Sequence, residues 1–236
     1  MELGLSRCSK MTNVQPSDLN YNHYETQKYD DDIVRSIPGH VELHLALEYI
    51  IKRDFAGKNP HILELGIGTG LTAEVILQNC SAERYIGVDF SEKMLQGARN
   101  RLQKYNLDSI ELIVDDYAKL DSKKMGFILC SLLRSIFKSK NPIGKLIACC
   151  EDFYFPTEND LVVSVIGIHH QETDQDKKNL FQKIYNSLSC EGAFLFGDLV
   201  TYRDKEEAAL NEALHFHHLV ENAIDDESLK QWAYHH

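Results

Sequence analysis

The stretch His61-Ile-Leu-Glu-Leu-Gly-Ile-Gly-Thr-Gly-Leu71 decides the fold. HILEL (61–65) is a short apolar run of strand length. GIGTG (66–70) is a glycine turn, and LTAEVILQN (71–79) reads as a helix. A strand, a glycine turn and a helix in that order open a sheet whose ligand sits beyond the C-terminal strand ends. The glycines allow backbone to approach a ligand where any Cβ would collide.

Working outward, the same rhythm repeats. RYIGVDF (84–90) is a second strand, and Ser91 is placed to cap a helix carrying Met94, Leu95, Ala98 and Leu102 at helical spacing. IELIVDD (110–116), DLVVSVIGI (160–168) and AFLFGDLV (193–200) are strands three to five. KKNLFQKIYNSL, with Leu180, Ile184 and Leu188 on one side, is the helix between the last two, and 204–223 is helical. Upstream, Pro38-Gly39 breaks the chain before a helix with Leu43, Leu47, Ile50 and Ile51 on one stripe. Strands this apolar, separated by helices, imply a parallel sheet covered on both faces. The expected fold class is therefore α/β, a doubly wound, mostly parallel, Rossmann-like sheet.

The expected organisation is an N-terminal lid or leader over 1–40, an α/β domain over 41–203 and a C-terminal helical segment over 204–236. Residues 1–35 read as polar and irregular, with Tyr21, Tyr24 and Tyr29 able to stack on a ligand or pack on the core. Between strands three and four lies an insertion (122–158), apolar and locally basic in KKMGFILCSLLRSIFKSKNPIGKLIACC. No strand pattern follows residue 200, so the terminal strand pair common in such sheets is missing from the pattern.

Composition narrows the function classes. The 236 residues are 43% hydrophobic and 26% charged, which excludes wholesale disorder and collagen-like or coiled-coil classes. A net charge of −11 argues against a nucleic-acid partner, because such binding rests on Lys and Arg neutralising phosphates. No apolar run approaches membrane-spanning length, and MELGLSRCSK lacks the apolar core of a secretory leader. The six cysteines form no CxxC pair and match no zinc spacing, so they read as free thiols of a cytoplasmic protein. His215, His217 and His218 cannot share one helical face, and no metal site is expected.

Three successive strand ends carry the candidate site: the turn around Gly66, Ile67 and Gly68, then Asp89 with Phe90, then Asp116 with Tyr117. A carboxylate at Asp89 can accept ribose hydroxyls, and one at Asp116 an exocyclic adenine amine. The dinucleotide fingerprint fails, since Leu71 stands where Gly or Ala is required, and no Walker lysine is present. Glu64, just before the turn, disfavours a pyrophosphate and suits a cationic ligand. S-adenosylmethionine (SAM), with adenine, ribose, a sulfonium and no phosphate, fits these demands.

These segments resemble the class I SAM-dependent methyltransferases. ELGIGTG is similar to the first motif of that superfamily, GVDFSEKML to the second, IVDDYAKL to the third, DLVVSVIGIHH to the fourth-strand motif and LFQKIYNSLSCEGAFLFGD to the last helix, turn and strand. The resemblance implies a cofactor site of Glu64, Gly66, Ile67, Gly68, Asp89, Phe90, Asp116 and Tyr117. RSIPGH (35–40) is similar to the RSVPGY stretch of carboxy-SAM synthases, which adds His40 and Val165 as cofactor contacts. Those synthases carry Asn where Val165 stands, and a basic residue where Glu221-Asn222 follow the pair His217-His218. The implied function is methyl transfer to a small molecule, with His169 and His170 as candidate proton acceptors. A carboxy-SAM synthase or tRNA-modifying enzyme, and a non-catalytic protein that kept the fold, remain alternatives, and a homodimer is compatible with each.

Overall fold

The computed structural model describes residues 26–118, 155–226, 228, 229 and 232. Helices α1 (Thr26–Ser36) and α2 (His40–Asp54) lead into β1 (His61–Leu65), α3 (Leu71–Asn79), β2 (Arg84–Asp89), α4 (Glu92–Leu102) and β3 (Ile110–Val114). After the insertion come β4 (Asn159–Val165), a 3-10 turn (Ile168–His170), α5 (Asp174–Ser187), β5 (Leu188–Gly197) and α6 (Lys205–Asn222). The expected insertion at 122–158 lies outside the described residues except for its last four.

The sheet has the order β3-β2-β1-β4-β5, and every described pairing is parallel. The order reverses between β1 and β4, and the doubly wound expectation holds. Alternation along the strands divides the core into two layers. Ile62, Tyr85, Leu161 and Val163 pack with Leu47 and Ile51 of α2, Ala73 and Ile76 of α3, and Leu95 and Leu102 of α4. Leu63, Leu65, Ile86, Val88 and Val162 point the other way, toward Leu180 and Ile184 of α5 and the rings of Tyr117 and Phe155. The helices start where the chain supplies caps: Ser91 Oγ accepts from Met94 N, and Thr173 with Asp176 forms a reciprocal capping box.

Several boundaries differ from the sequence reading. The segment before residue 36 is not irregular throughout: Thr26–Ser36 is helical, with Tyr29 and Ile33 one turn apart on one face. Tyr21 and Tyr24 lie outside the described residues. Strand β4 stops at Val165, three residues early, because Ile166 turns into the left-handed region at φ 52°. Strand β3 stops at Val114, which puts Asp116 beyond the strand end. Strand β5 starts at Leu188 instead of 193. The stretch 188–192, read as a turn, pairs irregularly with β4, and the register shifts between Asn159 and Leu161. Gly192 is required there, since a Cβ would stand 2.6 Å from the Asn159 carbonyl oxygen.

Candidate functional site

The switch between β1 and β4 opens a cleft at the C-terminal strand ends. Its lining includes Gly66, Ile67, Gly68 and Thr69 of the glycine turn, Asp89 and Phe90 after β2, Tyr117 after β3, and Val165, Ile166, Gly167 and His170 after β4. Tyr29 and Ile33 of α1 and His40 and His44 of α2 complete it on the helical side.

The turn folds back onto β2. Gly66 N and Ile67 N both donate to the Val88 carbonyl, at 2.8 and 3.1 Å. Gly66 sits at φ 75° and Gly68 at φ 55°, conformations that favour glycine. Gly68 N donates to Asp89 Oδ2 at 2.9 Å, while Asp89 Oδ1 accepts from Ser91 N at 2.8 Å. One carboxylate thus ties the turn to the start of α4. Burial pushes the Asp89 carboxyl above its ordinary value, against the two amide donors that favour its charge. Each carboxylate oxygen retains acceptor capacity beyond one amide.

Glu64 takes no part in the cleft wall. It is 1% exposed and accepts from Tyr85 Oη at 2.5 Å on the α2–α3–α4 side of the sheet. Burial, with Asp89 nearby, pushes its carboxyl up to about 8, so at neutral pH it is a protonated core acid rather than a charge offered to a ligand. The sequence reading placed it on the rim. Position 64 is the penultimate residue of a strand whose alternation turns that side chain inward.

Asp116 is also displaced from its expected place. Its Oδ1 accepts from Ala118 N at 3.0 Å, closing a local turn, and it is not among the described residues lining the cleft. Tyr117 contributes its side chain as well as its backbone. Its hydroxyl donates to the Gly167 carbonyl at 2.8 Å and its ring lies against Gly66, bridging the β3, β1 and β4 ends.

The two histidine candidates separate. His170 lines the cleft. His169 does not: its Nδ1 is 2.5 Å from Asp198 Oδ1, and Asp198 Oδ2 accepts from Ile168 N and His169 N at 2.7 and 3.0 Å. Burial alone would raise the Asp198 carboxyl, but the His169 imidazole and the amide donors outweigh it and hold the group below its ordinary value. The rings of His169 and His170 are in contact, with centroids 4.0 Å apart. The sequence reading missed Asp198. Its signal was available, since it follows the fifth strand as Asp89 ends the second.

Of the α2 histidines, His44 is fully engaged. Its Nδ1 donates to the His40 carbonyl at 2.9 Å, which leaves Nε2 to accept from Thr72 Oγ1 at 3.1 Å. His40 is 7% exposed, and burial with His44 alongside lowers its imidazole to about 4, so it is neutral. Its buried Nδ1 has no hydrogen-bond partner, the one such atom among the described cleft residues. A buried orphan of this kind costs on the order of 1–3 kcal/mol unless a ligand satisfies it. No Lys or Arg is among the described cleft residues. Among the described residues no cluster of three or more His, Cys, Asp or Glu could hold a metal ion, and no helix is long and apolar enough to cross a membrane.

Comparison with known proteins agrees with this architecture. A family model described as a methyltransferase domain matches residues 62–148. A carboxy-S-adenosyl-L-methionine synthase from Glaesserella parasuis serovar 5 (strain SH0165) is 27% identical, over 65% of this chain and 69% of its own. The synthase from Actinobacillus pleuropneumoniae serotype 7 (strain AP76) is 23% identical, over 81% and 85%. Among solved structures, the N-methyltransferase NodS from Bradyrhizobium japonicum WM9 has a TM-score of 0.50 at 14% identity, over 83% of this chain and 81% of that one, a likeness of fold.

Proposed function

We propose that this chain, which matches a methyltransferase-domain model over residues 62–148 and is similar to carboxy-SAM synthases, is a class I SAM-dependent methyltransferase that binds SAM in the β1/β4 cleft and transfers the methyl group to a small-molecule acceptor. One observation carries the reading: a buried strand-end carboxylate, Asp89, stands against the glycine turn in a cleft whose described lining holds no Lys or Arg. Such a lining suits a phosphate-free, positively charged ligand. The orphaned Nδ1 of His40 supports it, as a group waiting for a polar partner.

When bound, SAM supplies a methyl carbon already activated by its sulfonium. The protein's work is then positioning and exclusion of water. Asp89 would accept from the ribose hydroxyls with the acceptor capacity its amide bonds leave. Gly66, Ile67 and Gly68 let the ligand approach the backbone, Phe90 and Tyr117 give apolar surface, and Val165 walls the β4 side. His40 offers its free nitrogen. His170 is placed to take a proton from a protic acceptor, and His169 fixes the turn that carries it. The inward-turned Glu64 and the capped Asp116 are left out of this set. Cys80 and Cys190, free thiols, accord with a cytoplasmic setting.

Titration calorimetry with SAM tests the assignment. Asp89→Ala is expected to weaken binding by on the order of 1.5–3 kcal/mol. Unchanged affinity removes Asp89 from the site, and no binding to the wild type ends the proposal. A second reading, synthesis of carboxy-SAM, follows the name of the relatives. A carboxylated sulfonium calls for a cation on its extra carboxylate, and the described lining has no Lys or Arg to provide one. Mass spectrometry of the copurifying nucleoside decides between the two, since one carboxylate of added mass would favour the synthase.

A further inference from the structure

Helix α1 covers the cleft with Tyr29 and Ile33, and its next face carries Thr26 and Asp30, also one turn apart. Among the described residues, the polar contacts of that face gather at Asp30. Asp30 Oδ1 accepts from Thr69 Oγ1 of the glycine turn, and Asp30 Oδ2 pairs with the Arg101 guanidinium of α4. Arg101 is the hub of the cluster. It also donates through Nε to the Thr69 carbonyl at 3.0 Å and through Nη1 to Glu74 Oε2 of α3 at 2.7 Å, and Lys104 pairs with the other Glu74 oxygen. Two carboxylates and two cations balance, and the Asp30 and Arg101 side chains are only 20% and 23% exposed.

The opposite end of α1 is built as a pivot. Pro38 and Gly39, with Gly39 at φ 78°, separate it from α2, and His218 Nε2 of α6 lies 2.8 Å from the Arg35 carbonyl oxygen. The seat beneath the fastened end depends on a glycine. A Cβ at Gly97 of α4 would stand 2.9 Å from Thr26 Cγ2 and 3.1 Å from Thr26 Cβ.

We propose that Asp30 is a positioning residue that latches α1 shut over the cleft and, through Thr69, holds the glycine turn in its ligand-bearing shape, so that release of this one contact gates ligand exchange. The gating half rests on the SAM reading above; the latch itself does not. The arrangement makes the latch separable from the fold. Without Asp30, Arg101 keeps Glu74 and the Thr69 carbonyl, so α3, α4 and the sheet retain their contacts while the N-terminal half of α1 loses its ion pair with α4 and its hydrogen bond to the glycine turn.

The experiment compares wild type, Asp30→Ala and Gly97→Leu by hydrogen exchange, followed by the dissociation rate of S-adenosylhomocysteine in stopped flow. Asp30→Ala removes the attraction. Gly97→Leu adds bulk under Thr26 while improving the helix propensity of α4. In both variants protection of α1 amides is expected to fall about tenfold or more, with α3 unchanged and α4 no less protected than in the wild type. S-adenosylhomocysteine should leave both variants about tenfold faster than wild type. Asp30→Glu, which keeps the charge, should recover part of both effects. Unchanged α1 exchange in Asp30→Ala overturns the latch. Faster α1 exchange with an unchanged dissociation rate overturns the gate. Loss of protection throughout the sheet makes Asp30 a general stabilising residue and overturns both. If the wild type binds no S-adenosylhomocysteine, the SAM reading and the gate fall together, and α1 exchange still decides the latch.

Discussion

Replacing Glu64 by glutamine should stabilise the protein at high pH and leave it unchanged in acid. In the folded chain Glu64 is sealed in the core, its carboxyl pushed by burial from an ordinary 4.5 to about 8, and it accepts from Tyr85 Oη. In the unfolded chain it ionises near its ordinary value. Below that value both states hold the proton and the pair contributes fully. Between about pH 4.5 and pH 8 only the folded state holds it, so stability falls as pH rises. The slope is at most about 1.4 kcal/mol per pH unit, and across the window the wild type loses on the order of 4–5 kcal/mol. The glutamine side chain has nearly the same shape, would still accept from Tyr85 and does not titrate. Urea unfolding of wild type and Glu64→Gln at half-unit steps from about pH 4.5 to about pH 8.5 measures this, because other titrating groups cancel in the difference. The two curves should coincide at the acid end and diverge steadily, with the variant the more stable. A difference that stays constant with pH, or has the opposite sign, would falsify the placement of Glu64 as a protonated core acid.

Three further substitutions probe the frame around the cleft. Asp198→Asn should cost about 2–3 kcal/mol at neutral pH, since it unsettles the acceptor of Ile168 N, His169 N and His169 Nδ1. Because the Asp198 carboxyl is held below its ordinary value, that cost should shrink as pH falls below about 4, and unfolding curves that keep the gap in acid would contradict the assignment. Glu158 is exposed at φ 59°, so Glu158→Gly should raise stability by roughly 0.5–1 kcal/mol in thermal melts. Gly192→Ala should destabilise by about 1–3 kcal/mol in the same melts, because its Cβ would meet backbone atoms of Asn159 and Ser189 that cannot yield as a side chain would.

The sheet was legible because its central strands, β1, β2 and β4, are buried on both faces. Runs such as HILEL, YIGV and LVVSV allow little but a parallel core, and the glycine turn marks the point at which the first crossover begins. Where the reading slipped, a local event left no mark in composition. Ile166 continues an apolar run and is β-branched, yet it takes a left-handed conformation that ends β4. Helix α1 escaped notice because its half-buried positions serve several partners: Thr26 and Asp30 face α4 and the glycine turn, while Tyr29 and Ile33 face the cleft. The spacing of Tyr29 and Ile33 was the available clue. Of the acids expected in the site, only Asp89 lines the cleft. Glu64, Asp89 and Asp116 all stand near strand ends, and a shift of one or two residues decides among core, rim and turn.

The way the glycine turn commits its hydrogen bonds bears on which ligand the cleft can hold. In a phosphate-binding turn the free amides point at the anion. Here Gly66 N and Ile67 N are committed to the Val88 carbonyl and Gly68 N to Asp89, so the first three amides of the turn are already paired. What the rim presents instead is a carboxyl group, the neutral imidazole of His40 and aromatic and aliphatic surface. An anion set about 4 Å from an ionised Asp89 would meet a repulsion on the order of 4 kcal/mol at a partly buried site, with no Lys or Arg among the described lining residues to offset it. A sulfonium at the same distance gains by a similar amount. The feature that weakens this chain as a dinucleotide binder, a carboxylate occupying the donor of the turn, is therefore the one that suits it to a cationic adenosine.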